Sequence, residues 1–326
     1  MRGITAVVAV PIVLGAAGLG YQAIAAEQDR RAYPPPGQFV NIDGTRLHIN
    51  CTGQGSPTVI LESGLGGWSS YWALIQPALA GGVRVCSYDR AGLGWSDPGP
   101  QPRDARHIAV ELHALLVGAD VPGPYVLAAH SNGGLYARMF ASLYPEDVAG
   151  MMLADATPTD LFDRLPATRA SFDMFEQQAR TFQWLAPVGM TRLLTGGAMA
   201  ADLVRFPSPA REEILALYST SRQWHGAELE VQAMRTAMAQ VSQLGGLGAR
   251  PLVVVTSTEG TASMEEAEIK RAIYTDLAML SSNSRQVVVE GATHTGLTLN
   301  PEHAQMTSAA IRQVVDVVRT GQPLAR

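Results

Sequence analysis

Charge is scarce in this chain. Its 29 acidic and 24 basic residues make up 16% of 326 positions, against 47% hydrophobic ones. No block of like charge occurs, and a net charge of −5 at pH 7 offers no basic footprint, so nucleic acid is not an expected partner. Cysteine is nearly absent: only Cys51 and Cys86 occur, read either as two small buried apolar side chains or as one disulfide. There is no internal repeat and no low-complexity tract. No cluster of metal-ligating residues stands out, and the glycines of 64–67 lack the lysine of a phosphate-binding loop, so neither metal nor cofactor is expected. The length allows one large domain or two small ones, with ample core.

What the chain does have begins at its N-terminus. Residues 3–26 carry no charge, and 4–19 are nearly all apolar. A span near 20 residues suits a membrane helix, and Ala23-Ile24-Ala25 also offers a cleavage pattern. Residues 1–27 are therefore expected to be a signal anchor or a signal peptide, with the membrane as a partner in the first case. Tyr33 and the prolines 34–36 predict a stiff spacer over 28–37.

Beyond it, short apolar runs at 46–50, 57–61, 83–88, 125–129 and 148–154 read as strands. A helical pattern over 103–118 falls among them, with Ile108, Leu112, Leu115 and Leu116 at helical spacing. Alternation of buried runs with helices implies a mostly parallel sheet covered on both faces. The rhythm breaks over 158–248, a stretch without a convincing strand but rich in Phe, Trp and Met, which predicts a helical insertion. Strands return at 251–256 and 287–290, followed by an amphipathic helix from Pro301. The expected layout is a core of 38–156 and 249–320 with a helical cap over 157–248.

Residues 126–134 read V-L-A-A-H-S-N-G-G, an apolar run breaking into a turn of small residues with one serine at its centre. Ala129, Ser131 and Gly133 fit a small-x-Ser-x-Gly elbow, whose tight turn lifts the serine to the top of a sheet. The glycine-rich loop 62–67, the turn 88–94 after a strand, this elbow and Gly291-x-x-His294 follow one another in order. Together they resemble the α/β-hydrolase superfamily over about residues 36–318. The N-terminal segment, its spacer and the wording of 88–98 look like a bacterial, membrane-anchored branch. The resemblance implies an α/β-hydrolase fold, a doubly wound sheet with a cap, and a serine nucleophile with histidine base, acid and oxyanion hole.

Carried over residue by residue, Ser131 is the nucleophile and His294, on a loop after the last strand, its base. The other six histidines have structural readings, among them His130 beside the serine. The oxyanion donors are the N–H groups of Asn132 and Leu65, the latter behind Gly64, where Ser63-Gly64-Leu65 replaces the usual His-Gly-x. The acid departs from the pattern. The stretch 257–264, where the superfamily commonly carries an aspartate, has none. Asp155, at the end of the 148–154 strand, is the preferred acid, and Glu259 the alternative. Asp89 and Arg90 are expected to fix the turn after their strand.

In the superfamily the strands holding Cys51 and Cys86 are neighbours, which implies a disulfide and, with it, an oxidising compartment. The expectation is thus a membrane-anchored protein with an extracytoplasmic catalytic domain, or a secreted one if the segment is cleaved. The expected activity is hydrolysis of an uncharged, largely apolar small-molecule ester through a serine acyl-enzyme. A covalent alkyl-enzyme route would need a carboxylate at position 131. The competing reading is a catalytically idle, membrane-tethered binding protein on a hydrolase scaffold.

Overall fold

Eight strands form one open sheet in the computed structural model, which describes residues 2–194 and 203–325, with 2–12 described by backbone alone. They are β1 (Gln38–Ile42), β2 (Thr45–Thr52), β3 (Thr58–Glu62), β4 (Val85–Tyr88), β5 (Tyr125–His130), β6 (Val148–Ala154), β7 (Leu252–Ser257) and β8 (Ser284–Val289). Their order is β1-β2-β4-β3-β5-β6-β7-β8. The hairpin of β1 and β2 is antiparallel, as is its pairing with β4, and the remaining strands run parallel. β3, β5 and β7 are buried along their whole length, as strands covered on both faces must be.

Alternation along the strands divides the core between the two faces. Ile60, Leu127, Leu153 and Val254 face the helices Ala105–Gly118 and Gly133–Leu143, through Leu112, Phe140 and their neighbours. Val59, Val126, Met152 and Val253 face the other way, onto Ile311 and Val314 of the helix Pro301–Thr320. Between β6 and β7 lie the helices Thr168–Leu185, Ala210–Tyr218 and Ser221–Ser242 of the cap insertion. Part of the expected cap, 195–202, lies outside the described residues. β1, which pairs Gln38–Ile42 antiparallel with β2, is not among the strands that the apolar runs predict.

Cys51 and Cys86 stand directly opposite in the antiparallel register of β2 and β4 and are joined by a disulfide.

The N-terminal expectation needs correction. The apolar stretch belongs to a helix, Arg2–Ala32, and among the described residues no helix is long and apolar enough to cross a membrane. The membrane partner, the anchor-or-signal assignment and the extracytoplasmic or secreted placement drawn from it are therefore not supported. The helix instead docks on the cap through polar and close backbone contacts. Gln22 is buried and donates to the carbonyl of Ser219 (2.8 Å), and Asp29 pairs with Arg192 (2.7 Å). At Gly18 a Cβ would stand 2.6 Å from the Val188 carbonyl oxygen, so only glycine admits that approach. The helix also runs through residues 28–32 of the expected spacer, and the Pro36 carbonyl accepts a hydrogen bond from buried His48.

Candidate active site

The elbow follows from crowding at the top of β5. Ser131 has φ +55°, a left-handed backbone that costs energy for a residue with a Cβ and is held by its surroundings. Its N–H donates to the Ala154 carbonyl (3.0 Å), and its own carbonyl accepts from Thr157 and Gly134 (3.0 Å each). The turn admits only small neighbours: a Cβ on Gly133 would lie 2.6 Å from the Glu62 carbonyl oxygen, and one on Gly134 2.5 Å from the Ala156 Cβ. Packing of helix against strand thus dictates glycine at 133 and 134.

Three of the expected residues meet. His294 Nε2 lies 3.0 Å from Ser131 Oγ, and His294 Nδ1 lies 3.2 Å from Asp155 Oδ2. An ionised carboxylate only accepts, so Nδ1 carries the proton in the neutral ring and Nε2 is left to accept from the serine hydroxyl. Asp155 is fully buried, whereas the His294 side chain is 47% exposed, so the relay runs from the core to the surface. Burial pushes the Asp155 carboxyl up. His294, Lys270 and Ser257 overcome that and bring it down to about 2.

Glu259 is not part of this chain of contacts. Its backbone N–H donates to the Ala292 carbonyl (2.9 Å), while the Nδ1 partner of His294 is Asp155.

The support around Asp155 was missed by the sequence reading. Ser257, the last residue of β7, donates its N–H to Asp155 Oδ1 (2.9 Å) and its hydroxyl to Oδ2. Lys270, on the helix Met264–Ala278, donates to Ser257 Oγ (2.8 Å) and stands 3.7 Å from Asp155 Oδ2. A signal was present: where β7 ends without a carboxylate, whatever stands there is free to serve an acid on the neighbouring strand. His130 has a second role as well. Burial, with His294 beside it, holds its pKa down to about 3, so its ring is neutral, and its Nε2 donates to the His294 carbonyl (2.9 Å).

On the other side of Ser131 lies the loop after β3. A Cβ on Gly64 would come 2.9 Å from the Ser131 Cβ, so the loop crosses Ser131 at glycine-only distance. Asn132 is buried, its side-chain oxygen accepting from Thr157 (2.7 Å). Asp89 and Arg90 part ways. Asp89 fixes its turn, accepting from the N–H groups of Ser69 and Trp95 (2.8 Å each) and from His48 (3.0 Å). Arg90 turns away and enters the loop beneath Gly64.

A cavity of about 350 Å³ opens over Ser131 and His294. Gly64 and Leu65 line it, with Tyr71 of the core and Phe172, Phe175 and Tyr218 of the cap. Among the described residues lining it, none is Asp, Glu, Lys or Arg. Among the described residues, too, no group of three His, Cys, Asp or Glu is arranged to hold a metal ion.

Comparison with known proteins agrees with this architecture. Residues 57–194 match the family described as alpha/beta hydrolase fold. An uncharacterized protein of Schizosaccharomyces pombe is 28% identical over 61% of this chain and 41% of its own length, so the chain spans less than half of that relative. A thermophilic esterase from Thermogutta terrifontis superposes with a TM-score of 0.61 at 21% identity, covering 87% of this chain and 99% of that one. The Cif epoxide hydrolase from Acinetobacter nosocomialis superposes with a TM-score of 0.69 at 14% identity, over 90% and 96%. The fold of this chain is the α/β-hydrolase fold.

Proposed function

We propose that this protein is a serine hydrolase of uncharged, largely apolar carboxylic esters or related acyl compounds. One observation carries the reading: an unbroken relay, Ser131 to His294 to Asp155, at the floor of an uncharged pocket. The substrate carbonyl carbon is attacked by Ser131 Oγ while His294 Nε2 takes its proton. The imidazolium so formed is balanced by the Asp155 carboxylate, and the negative oxygen of the tetrahedral intermediate is met by the N–H groups of Leu65 and Asn132. The alcohol leaves with the proton from His294. Water, deprotonated in turn by His294, then attacks the acyl-enzyme and frees the acid and Ser131.

In this reading residues 157–248 act as the cap, and Phe172, Phe175 and Tyr218 enclose the acyl or alcohol chain. The epoxide hydrolase likeness does not extend to an alkyl-enzyme mechanism, because position 131 is serine and not a carboxylate. The idle binding-protein reading is disfavoured by the aligned relay, for which mere binding has no need.

Labelling by a fluorophosphonate probe tests the proposal, followed by turnover of p-nitrophenyl esters of graded chain length. Wild type should label and hydrolyse, and Ser131→Ala should do neither. No labelling of wild type, or equal labelling of the alanine variant, would sink the serine mechanism.

A further inference from the structure

Arg90 lies outside the relay, yet it makes more hydrogen bonds than any relay member and spends most of them on one loop. It is almost wholly buried. Nη1 donates to the Ser63 carbonyl (2.8 Å) and to Glu62 Oε1 (2.7 Å), and Nη2 to the Gly64 carbonyl (2.7 Å). Its other side is gripped by Glu230 of the cap helix Ser221–Ser242, at 2.6 Å from Nε and 2.9 Å from Nη2. Glu230 Oε2 also accepts from the Gly66 N–H (2.9 Å), and Gln223 of the same helix donates to the Gly66 carbonyl (2.7 Å).

Peptide geometry gives this grip a direction. Gly64 C=O and Leu65 N–H belong to one planar trans peptide, in which the two groups point opposite ways. Arg90 holds the carbonyl end from the buried side, so the Leu65 N–H is turned outward, to the cavity that Leu65 lines. A guanidinium suits the task, because its planar fork can satisfy carbonyls and a carboxylate at once.

We infer that Arg90, seated by Glu230 of the cap, is the positioning residue of the oxyanion loop, so that the docking of the cap on the core sets the orientation of the Leu65 donor. The inference rests on the serine-hydrolase reading above. It makes the cap more than a pocket wall: a change in the seat of the Ser221–Ser242 helix reaches the reacting carbonyl through Glu230, Arg90 and one peptide plane.

Glu230→Ala, Glu230→Gln and Arg90→Lys test it, with rates normalised to active sites titrated by the fluorophosphonate. The readouts are kcat, KM and affinity for a trifluoromethyl ketone, whose adduct with serine carries an oxyanion. Loss of one oxyanion donor costs about 10²–10³ in kcat, so partial misorientation in Glu230→Ala should cost roughly 10–100-fold. Ketone affinity should fall in parallel while KM stays within about threefold, because the ground state does not use the donor fully. Glu230→Gln keeps one acceptor but turns an amide donor toward the guanidinium, so kcat and ketone affinity should fall together by less than in Glu230→Ala; unchanged values in this isosteric variant would count against the inference where the alanine or lysine variant fails to fold. A merely structural role would lower the titre of labelled sites and leave ketone affinity per site unchanged. Wild-type kcat and ketone affinity in folded Glu230→Ala and Arg90→Lys would overturn the inference, whereas absence of wild-type labelling would instead fail the hydrolase reading beneath it.

Discussion

Replacing Asp155 by Asn removes a negative charge 3.2 Å from His294 Nδ1 at the moment that ring becomes an imidazolium. At that separation and an effective dielectric near 20, the lost attraction is about 5 kcal/mol. The His294 side chain is 47% exposed. Solvent screening therefore reduces the loss to about 3 kcal/mol, or ~10²-fold in kcat. The amide's orientation decides whether more is lost. Oδ2 faces the His294 ring N–H, the Ser257 hydroxyl and the Lys270 ammonium, Oδ1 faces the Ser257 N–H, and the Tyr274 hydroxyl also bonds the carboxylate. The asparagine oxygen should turn to the three donors, which keeps His294 in its working tautomer and sets its NH2 against the Ser257 amide. The reverse orientation would invert the tautomer and take the loss toward ~10⁴. Steady-state kinetics on a p-nitrophenyl ester should thus show kcat down by about 10²-fold or more, with KM within about threefold. Glu259→Gln should stay within about twofold of wild type, because its carboxylate has no part in the relay. Asp155→Asn within threefold of wild type, or an equal loss in Glu259→Gln, would refute this assignment of the acid.

Two further predictions concern stability. The folded pKa of Asp155, about 2, lies below its ordinary 3.8, so its ionised form favours the folded state. That contribution, about 2 kcal/mol, should be complete above about pH 4 and lost as the pH falls through 2. Urea unfolding between pH 6 and pH 2 should show this loss in wild type and not in Asp155→Asn; parallel profiles would refute it. The disulfide closes a loop of 35 residues, worth about 4 kcal/mol in the chain-entropy account. Cys51→Ser, or reduction of the wild type, should lower Tm by several degrees in a thermal melt, and an unchanged Tm would show that the β2–β4 ladder alone suffices.

How much could be read in advance differs from residue to residue. The parallel sheet was legible because β3, β5 and β7 are buried on both faces and therefore appear as continuous apolar runs. The elbow was legible because the close approach of helix to strand demands glycine at 133 and 134, and that demand is written locally. His294 was found by its place in the chain order. Asp155 was preferred over Glu259 from its place at the end of β6, but each follows a strand end and the choice itself depends on which carboxylate reaches Nδ1. Ser257 and Lys270 passed unnoticed for the same reason: their function exists only beside Asp155, across from a neighbouring strand.

The N-terminal segment shows the opposite failure. An uncharged stretch is compatible with a bilayer or with a helix laid against the protein's own cap, and composition does not distinguish them. Gln22 against Ser219, Asp29 against Arg192 and the close pass at Gly18 are contacts between residues far apart in sequence, visible only once the cap is folded.

The sequence by itself determined the strand runs, the tight turn at Ser131, the order in which Ser131, Asp155 and His294 follow one another, and the aromatic and methionine content of the cap. Each of these is a local demand of backbone geometry or burial, met by residues near in sequence. Only the tertiary structure decided that Asp155 partners His294, that Ser257 and Lys270 hold it, that Arg90 and Glu230 grip the loop after β3, and that the first helix lies on the cap. Those are hydrogen bonds of a few ångströms between elements tens to hundreds of residues apart, and such distances come into being only when the chain packs.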